Sequence, residues 1–311
     1  MINCLAVESR DASVRKILRA LLVMLMLTAG AVGTHAQKAE VAAQEFAPGV
    51  ISTGKGFTVT FVPDGKTVYF TAREFNSAAA KPPLHVYESH LQNGEWQQAK
   101  PVRFSSEQWS DLDPFISGDG QKMFFVSTRP APGKANGKPD MDIWFSEWKS
   151  GEWSEPRWIK EINSDAKEGS PSVDRKGNLY FFSDRGAEAN QNSIYVAHIV
   201  GDHFSAPEKL PTPINAGPSD TSPWIARDGQ TLLFYSTRPG GFGQADLYVS
   251  FLKSNTWSPP VNLGAAVNTA DFEYNPEVSR DGSTLYFGRG GKIYFIALDA
   301  LHVAGLERDR F

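Results

Sequence analysis

Cysteine is almost missing from this chain. Cys4 is the only one, so neither a disulfide framework nor a thiol nucleophile is available to the mature protein. Long helical periodicities are equally scarce, which argues for an all-β domain. Metal-binding spacing is absent too: His85, His90, His198, His203 and His302 contain no His-x-x-x-His pair and mostly fall on outer strands. The serine-nucleophile elbow Gly-x-Ser-x-Gly does not occur, which argues against a peptidase. Nor is there an excess of positive charge. With 31 basic against 35 acidic side chains, nucleic acid is excluded as a partner on electrostatic grounds.

The conspicuous apolar run, Ala20 to Val32, is 13 residues long, short of the ~20 that span a bilayer. It follows Arg15, Lys16 and Arg19 and precedes Thr34-His35-Ala36, the layout of a secretory signal peptide cleaved near Ala36. A start near Val14 would shorten the basic lead and leave that reading intact. No cysteine follows the run to accept a lipid. Residues 1–36 are therefore expected to be removed, 37–45 to form a flexible lead and 46–311 to form one domain. That domain is expected to be exported, periplasmic or secreted, monomeric and not membrane-spanning. Its 27 basic and 33 acidic residues after cleavage give a formal charge of −6.

A repeat fills the domain. Pro63-Asp64-Gly65-Lys66 returns as Gly118-Asp119-Gly120-Gln121, Arg175-Lys176-Gly177-Asn178, Arg227-Asp228-Gly229-Gln230 and Arg280-Asp281-Gly282-Ser283, in steps of 55, 57, 52 and 53 residues. In the fourth copy, β-type runs at Ser222–Ala226 and Thr231–Ser236 flank the turn and predict a hairpin. A third strand follows at Asp246-Leu247-Tyr248 and recurs at His85-Val86-Tyr87, Asp142-Ile143-Trp144, Ser193-Ile194-Tyr195 and Lys292-Ile293-Tyr294. A fourth recurs around Trp96, Trp153, Phe204 and Trp257, whose aromatic is expected to pack between neighbouring sheets rather than bind a ligand. Radially repeated four-stranded sheets make a five-bladed β-propeller, which hides its edges by closing. The last copy lacks a fourth strand of its own. Phe46-Ala47-Pro48-Gly49-Val50 matches Trp257-Ser258-Pro259-Pro260-Val261, so an N-terminal strand is predicted to complete the last blade and close the ring.

The stretches Ser170-Pro171-x-x-Asp174-x-x-Gly177-x-Leu179-Tyr180-Phe181 and Tyr274-Asn275-Pro276-x-x-Ser279-x-Asp281-Gly282-x-x-Leu285-Tyr286-Phe287 resemble the PD40, or WD40-like, repeats of TolB-type propellers. The resemblance covers roughly residues 46–297. It implies an exported propeller used as an interaction platform. TolB itself has six blades and a further domain, so its particular partners do not carry over.

In this register, Asp111, Glu168, Asp220 and Glu273 stand three residues before the first-strand proline, and Arg73, Arg129, Arg185, Arg238 and Arg289 stand at the far ends of the second strands. Positions symmetric about a hairpin turn face one another, so each acid is expected to meet its own arginine at one mouth of the channel. Such pairs are mainly structural, but two breaks in the symmetry mark candidate sites. Gly56 replaces the first acid, leaving Arg73, beside Lys55, to receive a ligand carboxylate or phosphate, or to pair with Glu74. Asp113 follows Asp111 near Trp109; on one strand face the two would hold a hard cation such as a structural Ca2+ or act as acid and base, and otherwise they are a paired acid and a turn cap. Asp140 and Asp142 would extend that patch. No other cofactor is implied. Asn163, Asn215 and Asn268, each five residues before an acid, suggest loop architecture.

Three functions follow. The first is a non-catalytic platform for an envelope protein or a glycan, with Arg73, Trp109, Arg129, Arg185, Arg238 and Arg289 as the binding set. The second is a glycan-cleaving hydrolase or lyase using Asp111, Asp113, Glu168, Asp220 or Glu273. The third is a structural part of an envelope assembly. Sialidase Asp boxes do not match, because Ser279-Arg280-Asp281-Gly282 puts glycine directly after aspartate.

Overall fold

The five turns form as their residues dictate. Gly65, Gly120, Gly177, Gly229 and Gly282 take φ between +66° and +92°, a region that other residues enter only under strain. Asp64, Asp119 and Asp228 each accept the backbone N–H two residues on, at 2.8–2.9 Å. The third turn carries Lys176 at that place, and Asp174 supplies the acceptor instead, bonding Lys176 N and Asn178 N.

The computed structural model describes residues 42–73, 82–132, 140–186 and 191–306. These form five blades. The innermost strands are Gly56–Phe61, Asp111–Ile116, Glu168–Val173, Asp220–Ile225 and Glu273–Val278. The second strands are Thr67–Arg73, Lys122–Ser127, Leu179–Ser183, Thr231–Ser236 and Thr284–Arg289. The third strands are Leu84–Gln92, Asp142–Lys149, Ser193–Ala197, Asp246–Lys253 and Lys292–Ala297. All pair antiparallel in sequence order. The fourth strand comes in two short pieces, as at Thr256–Trp257 and Val261–Asn262, both bonded to the third. Innermost strands of successive blades touch all the way round, blade 5 to blade 1 included. The protein is a five-bladed all-β propeller.

Five apolar clusters hold it, one at each blade interface. The recurrent fourth-strand aromatics do pack between sheets. Trp153 of blade 2 donates its indole N–H to Tyr69 OH of blade 1 at 3.0 Å, and Trp257 of blade 4 is buried with Tyr180 of blade 3. Trp96 meets Phe46 at 5.7 Å.

The N-terminal segment closes the ring, but in a different register from that predicted. Gln44–Glu45 pairs with Phe295 and Tyr294, so part of the expected flexible lead is strand. Phe46 N donates to Ile293 O, as Leu263 N donates to Leu247 O in blade 4. Phe46 thus stands where Leu263 stands, not where Trp257 does. The aromatic-x-x-Pro match followed side-chain likeness, whereas the ladder is set by backbone bonds. Ser52 completes the clasp by bonding both Ile293 N and Ile293 O. That is the task of Asn163 on Ile143, Asn215 on Ile194 and Asn268 on Leu247.

Candidate functional site

Each ring acid meets its arginine at the mouth, at 2.8 Å for Asp111–Arg129 and Glu168–Arg185 and 2.7 Å for Asp220–Arg238 and Glu273–Arg289. The register differs from simple symmetry. In blades 2, 3 and 4 the residue opposite the acid is a serine: Ser127, Ser183 or Ser236. The arginine lies two residues further on and folds back, its backbone N and Nε both donating to that serine's Oγ. Only Arg289 lies directly opposite its acid, Glu273. The Ser-x-Arg spacing was visible in the sequence and is the signal that symmetry counting overlooked.

These arginines are nearly used up. Besides its acid, each donates to a carbonyl of the loop entering its own blade, Phe104, Ile162, Ile214 or Val267. Each guanidinium also lies over at least two aromatic rings, for example Phe234 and Tyr248 for Arg238. The four acids are fully buried. Burial raises Asp111 and Glu168 above the usual carboxylate range even against the arginine charge.

Asp113 does not share a face with Asp111, as the two-residue spacing predicts. Every innermost strand carries a bulge after the acid, or after Gly56 in blade 1; in blade 2 it lies between Leu112 and Phe115. Asp113, Ser170, Ser222 and Asn275 sit on those bulges at φ from +47° to +52°. A bulge re-aims its side chain. Asp111 therefore points into its blade, while Asp113 points into the channel and meets residues from blades 1, 3 and 5. The two do not form the pair a shared cation needs, and among the described residues no three His, Cys, Asp or Glu side chains converge as a metal site. Asp140 and Asp142 lie near the mouth, Asp142 buried opposite Ser127. Trp109 is half-buried in the loop entering Asp111.

Thr58, Asp113, Ser170, Ser222 and Asn275, one from each blade, close a ring across the channel. Its contacts are Thr58–Asp113 (2.8 Å), Ser170–Asp113 (2.7 Å), Asn275–Asp113 (3.1 Å), Asn275–Thr58 (2.5 Å), Ser222–Asn275 (2.5 Å) and Ser170–Ser222 (3.1 Å). The protons can be counted. Six contacts need six protons; three hydroxyls and one amide supply five. The sixth is available if Asp113 is protonated on Oδ2, donating to Ser170, which donates to Ser222, which donates to Asn275 Oδ1. Burial pushes the Asp113 carboxyl in the same direction, against its hydrogen bonds. Below the ring, a cavity of about 30 Å3 reaches Glu277, room for a water and not for a sugar ring.

Blade 1 breaks the pattern of acid and arginine. Gly56 faces Ala72, and among the described residues Arg73 donates to a carbonyl, Pro82 O at 2.9 Å, with no carboxylate partner; Glu74 lies outside them, as does the expected signal peptide, residues 1–36. Aromatics that the sequence reading missed stand close by. Phe57 meets Tyr274 at 6.4 Å, Tyr274 meets Phe272 at 5.9 Å, and Phe272 meets Tyr235 at 5.1 Å. Tyr274 packs against Gly288, where a Cβ would collide with its ring. Phe242, about half exposed, is held out on a glycine-rich loop whose N–H groups bond Asp246.

No protein-family model matches the sequence, and no curated protein matches it. Solved propellers are similar in fold. A provisionally assigned TolB from Agrobacterium tumefaciens is 15% identical, covers 76% of this chain and is itself covered over 70%, with a TM-score of 0.48. TolB of Acinetobacter baumannii is 14% identical over 77% of this chain and 53% of its own, with a TM-score of 0.45. The periplasmic gluconolactonase of Pseudomonas aeruginosa is 14% identical over 75% and 64%, with a TM-score of 0.44. Among the described residues no helix is long and apolar enough to cross a membrane.

Proposed function

We propose that the chain is an exported, non-catalytic propeller whose mouth face binds an envelope protein or a glycan. One observation carries this reading: the carboxylates at the channel are committed to the fold, while the same face presents Arg73 and an aromatic row. Asp111, Glu168, Asp220 and Glu273 are buried against arginine, and Asp113 is locked in a ring above a water-sized cavity. A glycosidase needs a carboxyl pair open to a sugar. Arginine and half-buried aromatics are the side chains that anchor recognition surfaces.

The test is a glycan array and an envelope-fraction pull-down with the mature protein, each hit re-examined for cleavage. The expected result is saturable binding without turnover, weakened by Arg73→Ala and by Phe57→Ala. Turnover of a bound glycan that is lost in Asp113→Asn would overturn it in favour of the hydrolase.

A further inference from the structure

The face opposite the mouth carries a second break in symmetry. Directly before the turn Asp-Gly stand Pro63, Gly118, Arg175, Arg227 and Arg280, so arginine occupies blades 3, 4 and 5. Arg280 reaches from blade 5 to blade 2, where its NH2 donates to Ile116 O at 2.8 Å and Ser117 O at 3.1 Å. Arg227 reaches from blade 4 to the same place and lies on Gly118: its guanidinium carbon and NH2 would be 3.5 Å from a Cβ there. A Cβ at position 118 would just touch the guanidinium at ordinary van der Waals distance, so a branched side chain there would press on the seat that Arg227 occupies.

Arg280 has three carbonyls, of Phe61, Ile116 and Ser117, with Glu277 close enough to favour its charge. Arg227 has neither. Its guanidinium is half-buried beside a like charge and has no side-chain hydrogen bond or ion pair among the described residues. It lines an open groove of about 810 Å3 between blades 2 and 3, which Arg175, Lys176 and Lys122 also border and Phe124 and Phe145 wall. The groove's acids already have partners. Glu147 pairs with Lys149 and Arg157, Asp174 accepts from Lys176 N and Asn178, Asp119 accepts from Ser117 and Gln121, and Asp202 meets His203.

We propose that this groove binds an oxyanion, phosphate or carboxylate, carried on an aromatic or apolar body, with the Arg227 guanidinium as the anchoring fork. A half-buried guanidinium without a partner is matched by a planar or tetrahedral oxyanion through two parallel N–H bonds. The aromatic wall beside it takes up the rest of the ligand. This site is separate from the mouth, so it stands or falls independently of the platform proposal.

The experiment is a calorimetric and NMR titration of the mature protein with inorganic phosphate, phenyl phosphate, benzoate and, as a neutral control, benzyl alcohol. Phenyl phosphate or benzoate is expected to bind about tenfold or more tightly than inorganic phosphate, and which of the two leads identifies the headgroup. Arg227→Ala and Gly118→Val, the second keeping every charge but pressing on the guanidinium's seat, should each weaken binding about tenfold or more. Arg103→Ala, which breaks an exposed pair with Glu152 elsewhere, should leave it unchanged. If Arg227→Ala does not fold, Arg227→Lys keeps the charge without the fork and should show the same loss. No saturable binding by millimolar oxyanion, or equal binding by wild type and Gly118→Val, would overturn the proposal.

Discussion

Two aspartates two residues apart, Asp111 and Asp113, have opposite fates because a backbone bulge re-aims the second. Asp111 is held by an arginine of its own blade, Asp113 by hydroxyls and an amide from three other blades. The sign of the pH effect follows. Burial raises Asp113, and it pushes Glu277 up to about 7 despite partial relief from Arg280. A carboxyl whose folded pKa is raised contributes stability that is complete below the usual carboxylate range and is lost as pH rises through the folded value. The propeller should therefore be more stable near pH 5 than near pH 8. Asparagine at 113 supplies the sixth proton permanently through its amide. Asp113→Asn should match wild type at pH 5 within about 1 kcal/mol and flatten part of the decline above it, whereas Asp113→Ala should cost about 1–3 kcal/mol at pH 5. Chemical denaturation across pH 5–8 checks both; an Asp113→Asn curve parallel to wild type would show that Asp113 is ionised.

At the level of the strand, the Ser-x-Arg clip is the recurrent device. Arg238→Ala strands the buried Asp220 and should lower stability by about 3–5 kcal/mol, while Ser236→Ala, which leaves the ion pair intact, should cost about 1 kcal/mol. Thermal unfolding of the two variants distinguishes a buried pair from a surface decoration; equal, small losses would mean the pair contributes little. Much of this was legible beforehand. Glycine at positive φ with an aspartate acceptor makes the turns readable, and the turns give strand order, blade number and the face to which the acids belong. What stayed hidden depended on departures from period two. The bulge at Leu112–Phe115 turns Asp113 inward, and no composition signal marks a bulge when the residues at its equivalents are Asp, Ser, Ser and Asn. In blades 2, 3 and 4 the arginine register was off by two, because counting from the turn assigns partners to opposite positions and ignores a long side chain folding back.

Across the whole molecule, closure depends on a short clasp far from the last blade in sequence. Phe46 joins a cluster with Phe61, Tyr286 and Phe295, Lys292 pairs with Glu45 at 2.8 Å, and Ser52 grips Ile293. Phe46→Ala should cost about 3–5 kcal/mol and expose blade 5 first, seen as hydrogen exchange rising in Lys292–Ala297 before the other third strands. Uniform exchange across all five blades would place the weak point elsewhere. The ring thus divides its labour: acids and arginines hold hairpins, the polar ring plugs the channel, and blade 1, where Gly56 replaces an acid, leaves the mouth asymmetric. The most direct measurement of that division is the affinity of a partner selected by the wild-type protein, compared between Arg73→Ala and Asp113→Asn. A loss of about tenfold or more in Arg73→Ala with Asp113→Asn unchanged is expected of a mouth-face platform. The opposite pattern, Asp113→Asn impaired and Arg73→Ala unchanged, would contradict it and place the function in the channel.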